Sequence, residues 1–151
     1  MTPLVCSQQD ALFLDPALLG GKAANLAWLT REGLPVPRWW VVTTDVFRQL
    51  LIDNGVDAVI QDELARLPAD ADTAAIDPVS ARIRMRVLQS RLSPRLRVAI
   101  AEALSGFEER YFAVRSSVLG EDAEGASFAG QMDSYLFQRG IDAICESLLQ
   151  V

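Results

Sequence analysis

Three short segments of the chain carry residue types suited to gripping an anionic ligand. The first is Leu19-Gly20-Gly21-Lys22-Ala23-Ala24-Asn25-Leu26. Two glycines ahead of a helix let the backbone come close to a ligand and leave N–H groups unpaired at the helix start. Those groups and the helix dipole favour an anion, and a lysine there adds a mobile point charge suited to phosphate. The eight-residue phosphate-loop spacing that ends in Lys-Ser/Thr is missing, and the alternative is an ordinary Gly-Gly turn beside a solvated lysine. The second segment is Phe112-Ala113-Val114-Arg115-Ser116-Ser117. An arginine at the exit of a buried strand, followed by two hydroxyls, can hold a phosphate by a forked contact plus short hydrogen bonds. The alternative there is a structural Arg115 pairing with Glu121 or Asp122. The third segment is Gly125-Ala126-Ser127-Phe128-Ala129-Gly130-Gln131-Met132-Asp133-Ser134. Gly130 can bring a backbone N–H to a phosphate, and Gln131 and Ser134 can donate hydrogen bonds. A plain hairpin connection is the alternative.

Two features of the composition bear on that chemistry. The 151 residues include no histidine, so a histidine base, metal ligand or phospho-acceptor must come from elsewhere. Lys22 is the single lysine beside 13 arginines, which points either to a position that needs a compact ammonium or to chance in an arginine-biased chain. The net charge of −6 argues against a general nucleic-acid binder. The arginines from Arg82 to Arg97 read as the solvent side of two helices, their stems lying over apolar neighbours. Trp39 and Trp40 read as core. No apolar run is long enough to span a membrane, and the first residues show no basic region followed by an apolar stretch. Cys6 and Cys145 form neither a disulfide framework nor a metal site. They read as small buried hydrophobes in a reduced, cytoplasmic setting.

The elements that must position these residues follow from pattern. Half the residues are hydrophobic, which suffices for a packed core, and the length suits one domain. Leu4–Cys6 reads as a short strand. A helix runs from Lys22 to Glu32 and stops at Gly33. Trp39–Thr43 reads as a strand buried on both faces. Thr44-Asp45 is expected to cap a helix to about Asp53, and Val59, Ile60, Leu64 and Leu67 mark another before Pro68. Residues 69–75 are small and acidic and suit a flexible connection. Asp77-Pro78 and Ser93-Pro94 each read as a cap followed by proline at the first helical position, opening helices to about Leu92 and Leu104. A strand over Tyr111–Val114, a loop to Gly130, a strand over Met132–Gln138 and a last helix with the stripe Ile141, Ile144, Cys145 and Leu148 complete the chain. Helices in the middle and strands at both ends predict an α+β fold.

Taken in order, the motifs Gly20-Gly21-Lys22-x-x-Asn25-Leu26, Gly33-Leu34-Pro35-Val36-Pro37 leading to Val42-Thr43-Thr44, Ala113-Val114-Arg115-Ser116-Ser117, Gly120-Glu121-Asp122 and Ala126-Ser127-Phe128-Ala129-Gly130-Gln131 closely resemble one family. It is the N-terminal nucleotide-binding region shared by phosphoenolpyruvate synthases, pyruvate phosphate dikinases and rifampin phosphotransferases. The resemblance runs from about residue 10 to the end of the chain. It implies the N-terminal part of an ATP-grasp-type fold, with helices on a small mixed or antiparallel sheet. It also implies transfer of phosphate from ATP to a histidine on a separate swivelling domain, and then to pyruvate or a drug hydroxyl. Carried over by position, Lys22 and Arg115 are the cations on the ATP phosphates. Gly130, Gln131 and Ser134 are loop contacts to the nucleotide, with Ser134 standing where threonine is common.

On this reading residues 1–151 are one portion of an ATP-dependent phosphotransferase, inactive alone. The second half of the ATP site, the Mg²⁺ ligands and the histidine domain are expected on other parts of the enzyme. No residue of this chain is assigned as catalytic or as a metal ligand. The competing reading is a stand-alone, non-catalytic nucleotide-binding or regulatory module of the same fold. A half-site exposes surface that its other half would cover, so self-association of the isolated chain is expected.

Overall fold

The computed structural model describes residues 3–118 and 133–151. They form two compact units, one from residues 1–46 and 93–151 and the other from residues 47–92. Helices with small antiparallel sheets make the fold α+β, as expected.

The first unit opens with β1 (Val5–Ser7) and two four-residue helices, α1 (Gln8–Ala11) and α2 (Pro16–Leu19). Neither short helix is anticipated by periodicity, because four residues make barely one turn. Their stability lies in their caps. Ser7 and Asp10 form a reciprocal capping box on α1, and the Asp15 carboxylate accepts the Ala17 N–H at 2.8 Å with Pro16 at the first helical position. α3 (Gly21–Arg31) follows, then β2 (Trp40–Val42), which pairs antiparallel with β1 in the register Val5–Val42, Cys6–Val41 and Ser7–Trp40. Cys6, Ala11, Leu19, Ala23, Ala27, Trp39 and Val41 pack into one apolar core. The Trp39 indole N–H donates to Thr30 Oγ1 at 3.3 Å, so this ring is core, as its type suggests. β2 departs from expectation. Only Val41 of the strand is buried: it faces the apolar core, whereas Trp40 and Val42 share the opposite face of the sheet and are only partly covered.

After the second unit the chain returns with α7 (Pro94–Ala103), opened as expected by Ser93, whose hydroxyl accepts the Leu96 N–H at 3.2 Å. β3 (Phe112–Arg115) and β4 (Ser134–Gln138) form a second antiparallel pair, with an irregularity between Phe112 and Val114. The single small sheet expected from sequence is thus two separate two-stranded sheets among the described residues. α8 (Ile141–Gln150) packs on β3, β4 and α7, burying Ile144, Cys145 and Ser147, and Arg97 of α7 pairs with Asp142 at its start.

α4 (Thr44–Asp53) leads into the second unit, where α5 (Val56–Ala65) and α6 (Thr73–Leu88) pack together over Val56 and Val79. Thr44 lies inside α4, and its hydroxyl donates to the Ala17 carbonyl at 2.9 Å instead of capping the helix. α6 also departs from expectation. Its cap is Asp72, which accepts the Ala75 N–H at 2.9 Å, and Pro78 lies inside the helix, not at its start. Thr73–Ala75, expected in a flexible connection, form its first turn. Arg82 of α6 makes a two-pronged contact to Glu63 of α5, at 2.8 and 2.6 Å, which holds that carboxyl below its ordinary pKa. Arg82 and Arg97 thus lie on outer faces, as the arginine series suggests.

Candidate functional site

The start of α3 is where the first two chemical segments meet. Gly20 has φ 75° and ψ 169°, a conformation essentially reserved for glycine. A Cβ at this position would overlap the Ser117 carbonyl oxygen and stand 2.7 Å from the Ser117 hydroxyl. The glycine is therefore needed for the backbone of residues 19–21 to lie directly on residues 117–118.

That close approach builds a cap across the chain. Gly20 has no side chain to close the helix, so the closing groups come from about 94 residues away. Ser117 Oγ accepts the Ala23 N–H at 3.0 Å and donates to the Leu19 carbonyl at 2.9 Å, bridging the end of α2 to the start of α3. The Gly21 N–H donates to the Val118 carbonyl at 2.9 Å. The sequence reading leaves the N–H groups at this helix start for an anion. The structure corrects it, because those of Gly21 and Ala23 are already bonded to protein.

Lys22 projects from the same turn, and its Nζ donates to Ser116 Oγ at 3.4 Å. Ser116 is buried and follows Arg115, the last residue of β3, which is exposed. The alternation along the strand is the expected one, with Val114 and Ser116 inward and Arg115 outward. Arg115 is the register partner of Ser134 on β4, also exposed. Lys22 thus meets the inward side of this strand exit through Ser116, whereas Arg115 and its register partner Ser134 share the outward side. Gly130 and Gln131 lie outside the described residues, as do Glu121 and Asp122. The Ser117 hydroxyl, a phosphate donor by its place in the sequence pattern, is engaged on both sides by backbone.

The remaining candidates are inert. Cys6 and Cys145 are buried, and both thiols are pushed above their ordinary pKa, chiefly by loss of water. Burial and the raised pKa both disfavour the thiolate that a nucleophile needs. Among the described residues no group of three His, Cys, Asp or Glu side chains converges to hold a metal ion. No described helix is long and apolar enough to cross a membrane. A cavity of about 700 Å³ lies apart from the Lys22 turn, between β1, Trp40 and α7.

Comparison with known proteins adds to this geometry. Residues 16–151 match the pyruvate phosphate dikinase AMP/ATP-binding domain. The chain is 34% identical over 138 residues to a probable phosphoenolpyruvate synthase of Methanothermobacter thermautotrophicus, covering 87% of this chain and 20% of that protein. It is 44% identical over 131 residues to a rifampicin phosphotransferase of Streptomyces sviceus, covering 85% of this chain and 15% of the relative. To the phosphoenolpyruvate synthase of Escherichia coli it is 34% identical over 158 residues, 99% of this chain and 20% of the relative. The chain therefore spans a fifth or less of the length of these relatives.

Proposed function

The chain belongs to the family of the pyruvate phosphate dikinase AMP/ATP-binding domain, and we propose that it supplies the phosphate-gripping portion of an ATP-dependent phosphotransferase. The reading takes the fold as the N-terminal part of an ATP-grasp-type site closed by a second half. The observation that carries it is the seating of Lys22 beside Ser116, at the exit of the strand that ends in Arg115.

Phosphoryl transfer needs charge neutralisation and alignment more than covalent chemistry from the protein. The Lys22 ammonium and the Arg115 guanidinium neutralise the ATP phosphates, and the Ser134 hydroxyl donates a hydrogen bond to them. Gly130 and Gln131 belong to the same grip through the backbone N–H and the side-chain amide. Ser117 is a positioning residue: it fixes the turn that carries Lys22 and does not touch the nucleotide. The phosphoryl group passes to a histidine, which this chain lacks, on a swivelling domain, and from there to an acceptor such as pyruvate or a drug hydroxyl. The Mg²⁺ ligands are assigned to other parts of the enzyme. This chain by itself is inactive.

The test is ATP-dependent phosphohistidine formation by the assembled enzyme. Lys22→Ala and Arg115→Ala are each expected to lower kcat/KM for ATP by about 10- to 100-fold, the worth of one hydrogen bond to a charged group. Unchanged phosphohistidine formation in both variants would refute the assignment.

A further inference from the structure

The outer face of α7 carries its charges the wrong way round for a solitary helix. Arg95 sits in the first turn, where the dipole favours an acid, and Glu102 sits in the last, where it favours a base. Both side chains are exposed, and neither has an ion-pair partner among the described residues. They are seven residues apart, so they share one face about 10 Å apart along the axis. Between them lie Val98, which is 55% exposed, and the small Ala99. This face forms one wall of the 700 Å³ cavity, with Leu4 and Trp40 among the residues opposite.

We propose that a second copy of this chain docks along α7, antiparallel to it, about a two-fold axis at Val98 and Ala99. Such an axis makes the patch self-complementary: Arg95 of each copy meets Glu102 of the other, and the two apolar centres meet each other. Antiparallel packing also sets each Arg95 beside the partner's negative helix end and each Glu102 beside its positive end. The mismatch that disfavours α7 alone becomes favourable in the pair. The small Ala99 lets the helices approach, and the groove beside α7 gives the partner apolar surface to cover.

Sedimentation of the 151-residue chain at low and high salt tests this. A concentration-dependent dimer is expected, weakened by salt because the paired charges lie near solvent. Arg95→Glu or Glu102→Arg alone should weaken dimerisation at least tenfold. Each reversal agrees with the helix dipole, so circular dichroism should show both variants folded. The double variant should dimerise again, and so should an equimolar mixture of the two single variants, since one carries two acids and the other two bases. A chain that stays monomeric at millimolar concentration overturns the proposal. So do single reversals that leave the dimer unchanged, which would place self-association on another face, and a mixture that fails to reassociate.

Discussion

Ser117 closes the start of a helix to which it does not belong. Its hydroxyl serves Ala23 and Leu19 at once, and Gly20 leaves the space for it to do so. A capping hydroxyl is worth about 1 kcal/mol, up to about 2 where the site is covered. Ser117→Ala is therefore expected to lower unfolding free energy by about 1–2 kcal/mol in urea titration, with Ser117→Thr losing less. Equal stability of wild type and Ser117→Ala would show that water replaces the cap at no cost. The sequence singles out Lys22 and Arg115 by type, the one lysine in an arginine-rich chain and an arginine at a strand exit. It does not show that the helix N–H groups beside Lys22 are taken, because their acceptors lie about 94 residues further on. Local motifs report what a turn can offer, and only the tertiary contact reports what is already used.

Two dipeptides make the same point for whole elements. Asp77-Pro78 and Ser93-Pro94 look alike in sequence, and only the second opens a helix. At Ser93 the preceding residues are not helical, so the hydroxyl is left to cap. At Asp77 the helix already runs, because Asp72 caps it five residues earlier. Pro78 then lacks the N–H that would bond to the Ala74 carbonyl, and its ring crowds that carbonyl. Proline inside a helix costs about 3 kcal/mol relative to alanine, partly offset by the freer unfolded chain that alanine brings. Pro78→Ala, at an exposed position, should raise stability by about 1–2 kcal/mol; a lower urea midpoint would mean the proline serves the packing of α5 and α6. The long helices α3, α4, α5, α7 and α8 were legible from periodicity and stop signals. The four-residue α1 and α2 were not, and the apolar run at Trp40–Val42 overstated burial because it matches a central strand as well as a paired edge.

Across the whole molecule, the two thiols give stability a pH dependence on the alkaline side. Cys6 is 1% exposed and Cys145 2%. Desolvation raises both pKa values; Asp10 adds to the effect at Cys6, while at Cys145 Arg97 opposes it and Asp142 reinforces it. A folded pKa above the unfolded one means the folded state holds the proton more tightly. The contribution is full below the unfolded thiol value of about 8.5 and is lost as pH rises through the folded values. The urea midpoint should fall between pH 8 and 10, and Cys6→Ala/Cys145→Ala should show a shallower fall. Identical slopes would show that burial does not perturb these thiols.

The bonds that join Leu19–Ala23 to Ser117–Val118 also set a timetable. During synthesis at about 5–20 residues per second, the turn bearing Lys22 leaves the ribosome on the order of ten seconds before its clamp exists. Until then Gly20 is held by nothing on its far side. Contacts so distant in sequence are slow to form. The fixed geometry of the turn that carries Lys22 is thus among the last things this unit acquires.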